Sequence, residues 1–379
     1  MNFLPPENQL DIFKCLNFEQ LLNIQQTNCF YKNFVKEYED KLALKEFHKI
    51  KTVYIYKGSL PYMKFFKVEP KFYDFELSEE LEKKWKWVME KSIPLFKSND
   101  MEGIYVSACQ IEQSCECKQE ILLQLSNFPT NIEEMKIARY LLNQLFKCVF
   151  ESTAFSAGIF NPQMIQLLFD ENKTNIPLQI HSHVANLSID KRDFSKFALN
   201  HLISRGFIAN VSLASYLEQC RNNLFEILIN RGNRFSNVRY SDASSIFYNL
   251  IIEHIETSRD LSKMVKEITF SNVRGDILKN KRTENIEKEI GFNNLRSVKY
   301  QLSNKYNPKM KFSVYIKEFS RLRFDVEIRE LTERCIYPVT ISPPPTSVFF
   351  KNYVKMVSLN NNCRTHRAVS NDTKINKIR

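Results

Sequence analysis

The side chains best suited to chemistry in this chain are its thiols and imidazoles. Cys109, Cys115 and Cys117 lie close together, with Cys148, His181 and His183 further on, and such a set could hold zinc through thiolate and imidazole ligands. Zinc sites favour a paired Cys-x-x-Cys spacing, which this set lacks, so the cysteines read as buried thiols. No metal and no other cofactor is expected. Phosphate and acyl chemistry fare no better. The seven glycines, at 58, 103, 158, 206, 232, 275 and 291, never come within ten residues of one another. No Gly-x-Gly-x-x-Gly or Gly-x-x-x-x-Gly-Lys loop can therefore cradle a phosphate, and no Gly-x-Ser-x-Gly elbow can expose a serine. The protein kinase catalytic loop and the His-Glu-x-x-His metalloprotease pattern are absent as well. The chain is not expected to be an enzyme.

The elements around these residues must be read from pattern and length. A chain of 379 residues with 43% hydrophobic content is long enough for two or three domains of about 100 to 200 residues each. Its nine cysteines are odd in number and scattered from Cys15 to Cys363, which is not a secreted disulfide framework. No apolar run approaches the roughly 18 to 20 residues that span a bilayer, and the start, Met-Asn-Phe-Leu-Pro-Pro-Glu, has no basic n-region. Reduced thiols, no membrane and a cytosolic location, with the nucleus also open, are the expectation. The net charge of +11 is uneven: residues 1 to 50 hold six Lys against seven acidic residues, so the rest carries +12. There is no polybasic block, and nucleic acid is not expected as a partner.

Residues 1 to 48 read as a set of short helices. Pro5 and Pro6 fix φ as the first turn of a helix requires. Leu10, Ile12, Phe13 and Leu16 then recur near helical spacing, followed by Leu21, Leu22 and Ile24, by Phe30, Phe34, Val35 and Tyr38, and finally by Leu42, Leu44 and Phe47, for three or four amphipathic turns and helices. Asn17 is positioned to cap the second helix, with Gln20 three residues on as in a capping box. So short a module cannot bury enough apolar surface to stand securely alone.

The order Leu4-Pro5-x-Glu7-x-x-Leu10-x-Ile12-Phe13-x-x-Leu16, then Leu21-Leu22, resembles the F-box over about 45 residues. It departs at Gln26-Thr27-Asn28, where the family has Val-Cys or Val-Ser, and at Phe30-Tyr31, where many members have Trp. The opening phrase, with Leu-Ile-Ile-Glu-His-Ile-Glu-Thr-Ser at 250 to 258, is similar to an expanded group of F-box proteins in plant-parasitic nematodes. The resemblance implies that these helices dock on a Skp-type adaptor held by a cullin. It assigns adaptor contact to Leu4, Pro5, Leu10, Ile12, Phe13, Leu16, Leu21 and Leu22. Helix-in-groove docking of this kind rests on a few apolar anchors.

Residues 49 to 130 read as an irregular connecting layer, with a strand over 51–56 and a helix over 77–91 capped by Ser78. From residue 131 to 345 an α/β body is expected. One phrase recurs there, at Val184–Ile189, Ile208–Leu213, Phe235–Tyr240 and Phe270–Gly275, each with Asn third and an aliphatic residue fourth. Helices are expected at 194–203, 216–229 and 243–255 between these strands. The shape resembles the strand half of a leucine-rich repeat, although Arg192, Tyr216 and Ala243 occupy the usual asparagine position. Leu202-Ile-Ser-Arg-Gly206 and Leu228-Ile-Asn-Arg-Gly232 resemble an ankyrin helix end instead, but their step of 26 is too short.

Strands are expected at 311–316, 321–328 and 337–341, then a stiff Pro343-Pro344-Pro345, and a C-terminal segment over 346–379 with a disordered, basic tail from about 360. The fold class is thus mixed α/β: an N-terminal helical F-box, an irregular leucine-rich-repeat-like array and a β-rich end. The expected function is a substrate receptor of a Skp/cullin/F-box ubiquitin ligase, with an unknown protein target. The rivals are an F-box scaffold that delivers no substrate, and a metal protein or enzyme built on the Cys and His groups.

Overall fold

Three short helices open the chain: α1 (Pro6–Lys14), α2 (Phe18–Gln25) and α3 (Cys29–Glu37). Pro6 stands in the first turn of α1, where its missing N–H costs nothing. The expected capping box is present, with Gln20 N–H donating to Asn17 Oδ1 at 2.9 Å and Asn17 N–H donating to Gln20 Oε1 at 3.0 Å. Asn28 caps α3 in the same way through Tyr31 N–H. The helices close over Phe13, Leu21, Phe34, Val35 and Leu42, a core of their own in which the Phe13 and Phe34 rings meet edge-on at 5.2 Å.

The computed structural model describes residues 4–97, 105–113, 120–123, 125–155, 157–169, 178–188, 192–211, 218–275, 283–290, 296–320 and 323–331, within one compact unit. Cys115, Cys117, the strand expected at 337–341, the three prolines and the expected C-terminal tail lie outside those residues.

The chain continues through β1 (Lys45–Tyr56), β2 (Phe65–Phe66), α4 (Pro70–Tyr73), α5 (Glu79–Glu90), β3 (Phe96–Lys97), β4 (Tyr105–Glu112) and β5 (Glu120–Leu123). Then come α6 (Ile132–Phe146), β6 (Cys148–Phe155), β7 (Ile159–Phe160), α7 (Pro162–Leu168), β8 (Ile180–Ser188), α8 (Arg192–His201), β9 (Leu202–Asn210), α9 (Glu218–Asn230), β10 (Phe235–Ser241) and α10 (Ser245–Thr257). Five strands close the described chain: β11 (Glu267–Arg274), β12 (Thr283–Ile290), β13 (Arg296–Ser303), β14 (Lys311–Ser320) and β15 (Arg323–Leu331).

The molecule is mixed α/β, with a sheet of thirteen described strands in the order β12-β13-β14-β15-β11-β10-β9-β8-β6-β1-β4-β5-β2. Its middle, β1, β6, β8, β9, β10 and β11, is parallel, and helices connect successive strands from β6 onward. Antiparallel strands extend it on both sides, β4 and β5 on one and β15 to β12 on the other. The stretch expected to be an irregular layer is therefore partly sheet. β1 runs from Lys45 rather than Lys51 and crosses the expected boundary at residue 48.

Two rows of side chains carry the core across the sheet. The register aligns Thr153, Ala185, Phe207, Val238, Ile268, Ile328 and Val314 in one row, and Phe155, Leu187, Ala209, Tyr240, Phe270 and Val326 in the other, all buried. Helices cover this face: Phe197 of α8 meets Phe155 at 5.4 Å, and Phe247 of α10 meets Tyr240 at 5.8 Å.

The alternation breaks at one level on five neighbouring strands. Buried residues step by three, from Phe47 to Ile50, Phe150 to Thr153, Ser182 to Ala185, Ser204 to Phe207 and Phe235 to Val238. The register passes over the residue after each of the first members, namely His48, Glu151, His183, Arg205 and Ser236. Each strand skips one residue at the same level, so the pairing on either side stays in step.

The recurring Asn phrase falls on β8 to β11 as expected, yet the phrases do not stack. Asn186 pairs with Ile208, two residues before Asn210, and Asn237 pairs with Gly206, four residues before it. The two Leu-Ile-x-Arg-Gly phrases lie in unlike places, Leu202–Gly206 inside β9 and Leu228–Gly232 at the end of α9, which removes the ankyrin-like reading. Their glycines differ in the same way. A Cβ at Gly232 would lie 2.3 Å from Met264 O, whereas one at Gly206 would find its nearest neighbours at an ordinary 3.7 Å. Gly232→Ala is expected to lower stability by about 1–3 kcal/mol, and Gly206→Ala to leave it nearly unchanged, as read from urea midpoints. Equal midpoints for the two variants would contradict this packing.

Candidate functional site

The eight residues assigned to adaptor contact separate into an inner and an outer group. Phe13 and Leu21, 0% and 2% exposed, belong to the interior of the helical module, and Leu10, Leu16 and Leu22 are half-buried. Leu4, Pro5 and Ile12 face outward, with Leu4 39% and Ile12 37% exposed. Phe30, 47% exposed, joins them, its ring stacked on Phe34 at a centroid distance of 6.2 Å.

Gln9 is a contributor that spacing did not reveal. Its side chain is buried, and its Nε2 donates to Leu4 O at 2.7 Å, which ties the Leu4-Pro5 segment to α1. A polar residue one turn from Phe13 on the inner face was the available signal. The module reaches the body through a short link: Lys147 Nζ, just after α6, pairs with Glu39 at 2.7 Å, and β1 starts at Lys45.

The second surface is the face of the parallel strands opposite the helices. Across it run Lys51, Ala154, Asn186, Ile208, Arg239, Thr269 and Glu327, aligned by register and exposed or half-buried. Beside them Val184 is exposed, and Arg329 pairs with both Glu267 at 3.1 Å and Glu327 at 3.3 Å. The skipped positions add His48 and Glu151, joined at 2.6 Å, with exposed His183, Arg205 and Ser236. Polar and aliphatic side chains mix on this face, as they do on protein-binding surfaces of ordinary composition.

The thiols and imidazoles do not assemble. Among the described residues no three His, Cys, Asp or Glu side chains form a set able to hold a metal ion. Cys109 and Cys148 are buried, and burial pushes each thiol up to about 12. His201 is buried too, its Nδ1 2.8 Å from Leu178 O, and desolvation lowers its pKa. The thiolate is the reactive form, so buried thiols held neutral are inert. Alkylation of the native protein followed by peptide mass mapping should mark exposed Cys15 and Cys29 while sparing Cys109, Cys148 and buried Cys220. Prompt labelling of Cys109 would show that its strand opens.

A family model described as a domain of unknown function, DUF8381, matches residues 66–212. The matched stretch begins in β2, ends just past β9 and leaves out the N-terminal helices. No curated protein matches the chain, and no solved structure matches it.

Proposed function

We propose that the chain is a substrate receptor of a Skp/cullin/F-box ubiquitin ligase, with the N-terminal helices as the F-box and the sheet body as the target-binding part. One observation carries the reading: α1 to α3 close a core of their own while Leu4, Pro5 and Ile12 remain outside it. A helical module that satisfies itself inside and leaves apolar residues outside suits a groove on a partner. Those outer residues are among the positions to which the F-box resemblance assigns adaptor contact. The body is an irregular leucine-rich-repeat-like array in this reading. Its parallel strands follow one another in chain order with helices behind them, and the opposite face is free to hold a protein target. The ligase chemistry belongs to partner subunits.

The test is co-purification of the full chain with a Skp-type adaptor. A stoichiometric complex is expected; no complex at micromolar concentrations would sink the reading. Any deletion used as a control must stop before β1. Removing residues 1–48 would also take Lys45 to His48, including buried Phe47, out of a strand in the middle of the sheet.

A further inference from the structure

Charge is unevenly spread on the open sheet face. Its acidic side chains stand toward the two sides and each is engaged: Glu112 with Lys51 at 2.7 Å, Glu151 with His48 at 2.6 Å, and Glu267 and Glu327 with Arg329 at 3.1 and 3.3 Å. The three strands in the middle, β8, β9 and β10, contain no Asp or Glu. They present Arg205 and Arg239, both exposed, and neither guanidinium makes a hydrogen bond or an ion pair among the described residues. Exposed His183 stands at the level of Arg205 on the neighbouring strand.

The register brings amides and aliphatic side chains to the same panel. Asn186, Ile208 and Arg239 lie side by side in one row, and Val184, Gly206 and Asn237 in the row two residues before it. The side-chain amides of Asn186 and Asn237 have no partner among the described residues. Gly206 leaves a notch in its row, where a Cβ would meet nothing nearer than 3.7 Å. Strands lie about 4.8 Å apart and rise about 3.3 Å per residue, which sets the Cα atoms of Arg205 and Arg239 about 10 Å apart. That is within reach of carboxylates two or three residues apart in an extended chain.

Two unpaired guanidiniums, two unpaired amides and a short aliphatic strip, with no acid among them, are complementary to an extended acidic peptide. Arginine takes carboxylates bidentately, and asparagine amides can both donate to and accept from peptide groups. Nucleic acid fits less well. It calls for a denser run of cations and for exposed rings that stack on bases, whereas Phe207, Phe235 and Tyr240 of these strands are buried in the core.

We infer that the panel formed by β8, β9 and β10 recognises an acidic, extended segment of the protein target, with carboxylates held by Arg205 and Arg239. The inference deepens the receptor reading and rests on it for what the segment belongs to.

Fluorescence anisotropy of the full chain with a labelled ten-residue peptide of alternating Glu and Val tests the panel without any adaptor. The same peptide with Gln for Glu, and a labelled ten-nucleotide oligothymidine, are the comparison probes. Saturable binding of the Glu peptide alone is expected. Arg205→Gln with Arg239→Gln should weaken it about a hundredfold, tenfold for each charge-assisted contact. Lys83→Gln with Lys91→Gln, the same loss of charge at exposed positions on and just after α5, should leave it unchanged. The inference is overturned if the Glu peptide does not bind, if the Gln peptide or the oligothymidine binds as tightly, or if the two double variants behave alike. A chain that captures the adaptor yet ignores the Glu peptide overturns this inference and leaves the receptor reading in place. One that binds the peptide through the two arginines but captures no adaptor keeps the acidic-peptide site and removes its ligase role.

Discussion

The Leu4→Ala, Pro5→Ala double variant is expected to lose capture of a Skp-type adaptor while unfolding at the same temperature as the parent. Both residues stand outside the helical core, so their removal opens no cavity. Interface anchors contribute about 2 kcal/mol or more each, so the pair should raise Kd by a factor of several hundred. Phe13→Ala makes the contrast. Its ring is wholly buried against Phe34 and Tyr31, and its loss should cost about 3–5 kcal/mol and melt the module itself. Binding and melting measured on the same samples separate the two. If the outer pair left binding intact, docking would not use this surface; if the outer pair lowered the melting temperature as Phe13→Ala does, the outer residues would be structural.

The largest effect on the body is expected from Tyr240→Ala. Tyr240 is fully buried at the centre of the second core row, its ring 5.8 Å from Phe247, 6.1 Å from Phe207 and 6.2 Å from Phe270. Its hydroxyl donates to Leu224 O of α9 at 3.2 Å. Deleting the ring should cost about 3–5 kcal/mol, a large part of the roughly 5–15 kcal/mol that holds a typical protein folded. Tyr240→Phe keeps the packing and removes one hydrogen bond, for about 1 kcal/mol. Urea unfolding curves should rank parent, Phe variant and Ala variant in that order with wide spacing between the last two. An Ala variant within 1 kcal/mol of the parent would mean that the rows across β9, β10 and β11 do not carry the core.

What the sequence made legible was what is local. The Asn17–Gln20 box and the Ser78 cap of α5 rest on contacts three residues apart, and both are in place. The helices at 192–201, 218–230 and 245–257 follow their apolar spacing to within a few residues. Long-range pairing was not legible. Leu42, Leu44 and Phe47 read as a last helical turn, but Phe47 lies in β1, where the buried Phe47 and Ile50 stand three residues apart, a spacing that fits a helix face and no strand alternation. The Asn phrase located four strands but not their register, which is fixed by core residues on neighbouring strands and not by likeness between phrases. Apolar spacing in the N-terminal module identified residues that matter without separating inside from outside, since Phe13 and Ile12 are adjacent in the chain and differ only in which way they face.

The step shared by five strands from His48 to Ser236 makes the strand lengths of the body interdependent. Each strand has a fixed number of residues on either side of its skipped position, and its neighbours count from the same level. Losing or gaining a residue within one strand would therefore throw half of it out of step with partners on both sides. Changes in length can be absorbed only in the connections between strands and helices, so lineages of this chain should drift in size there while the strands hold their count.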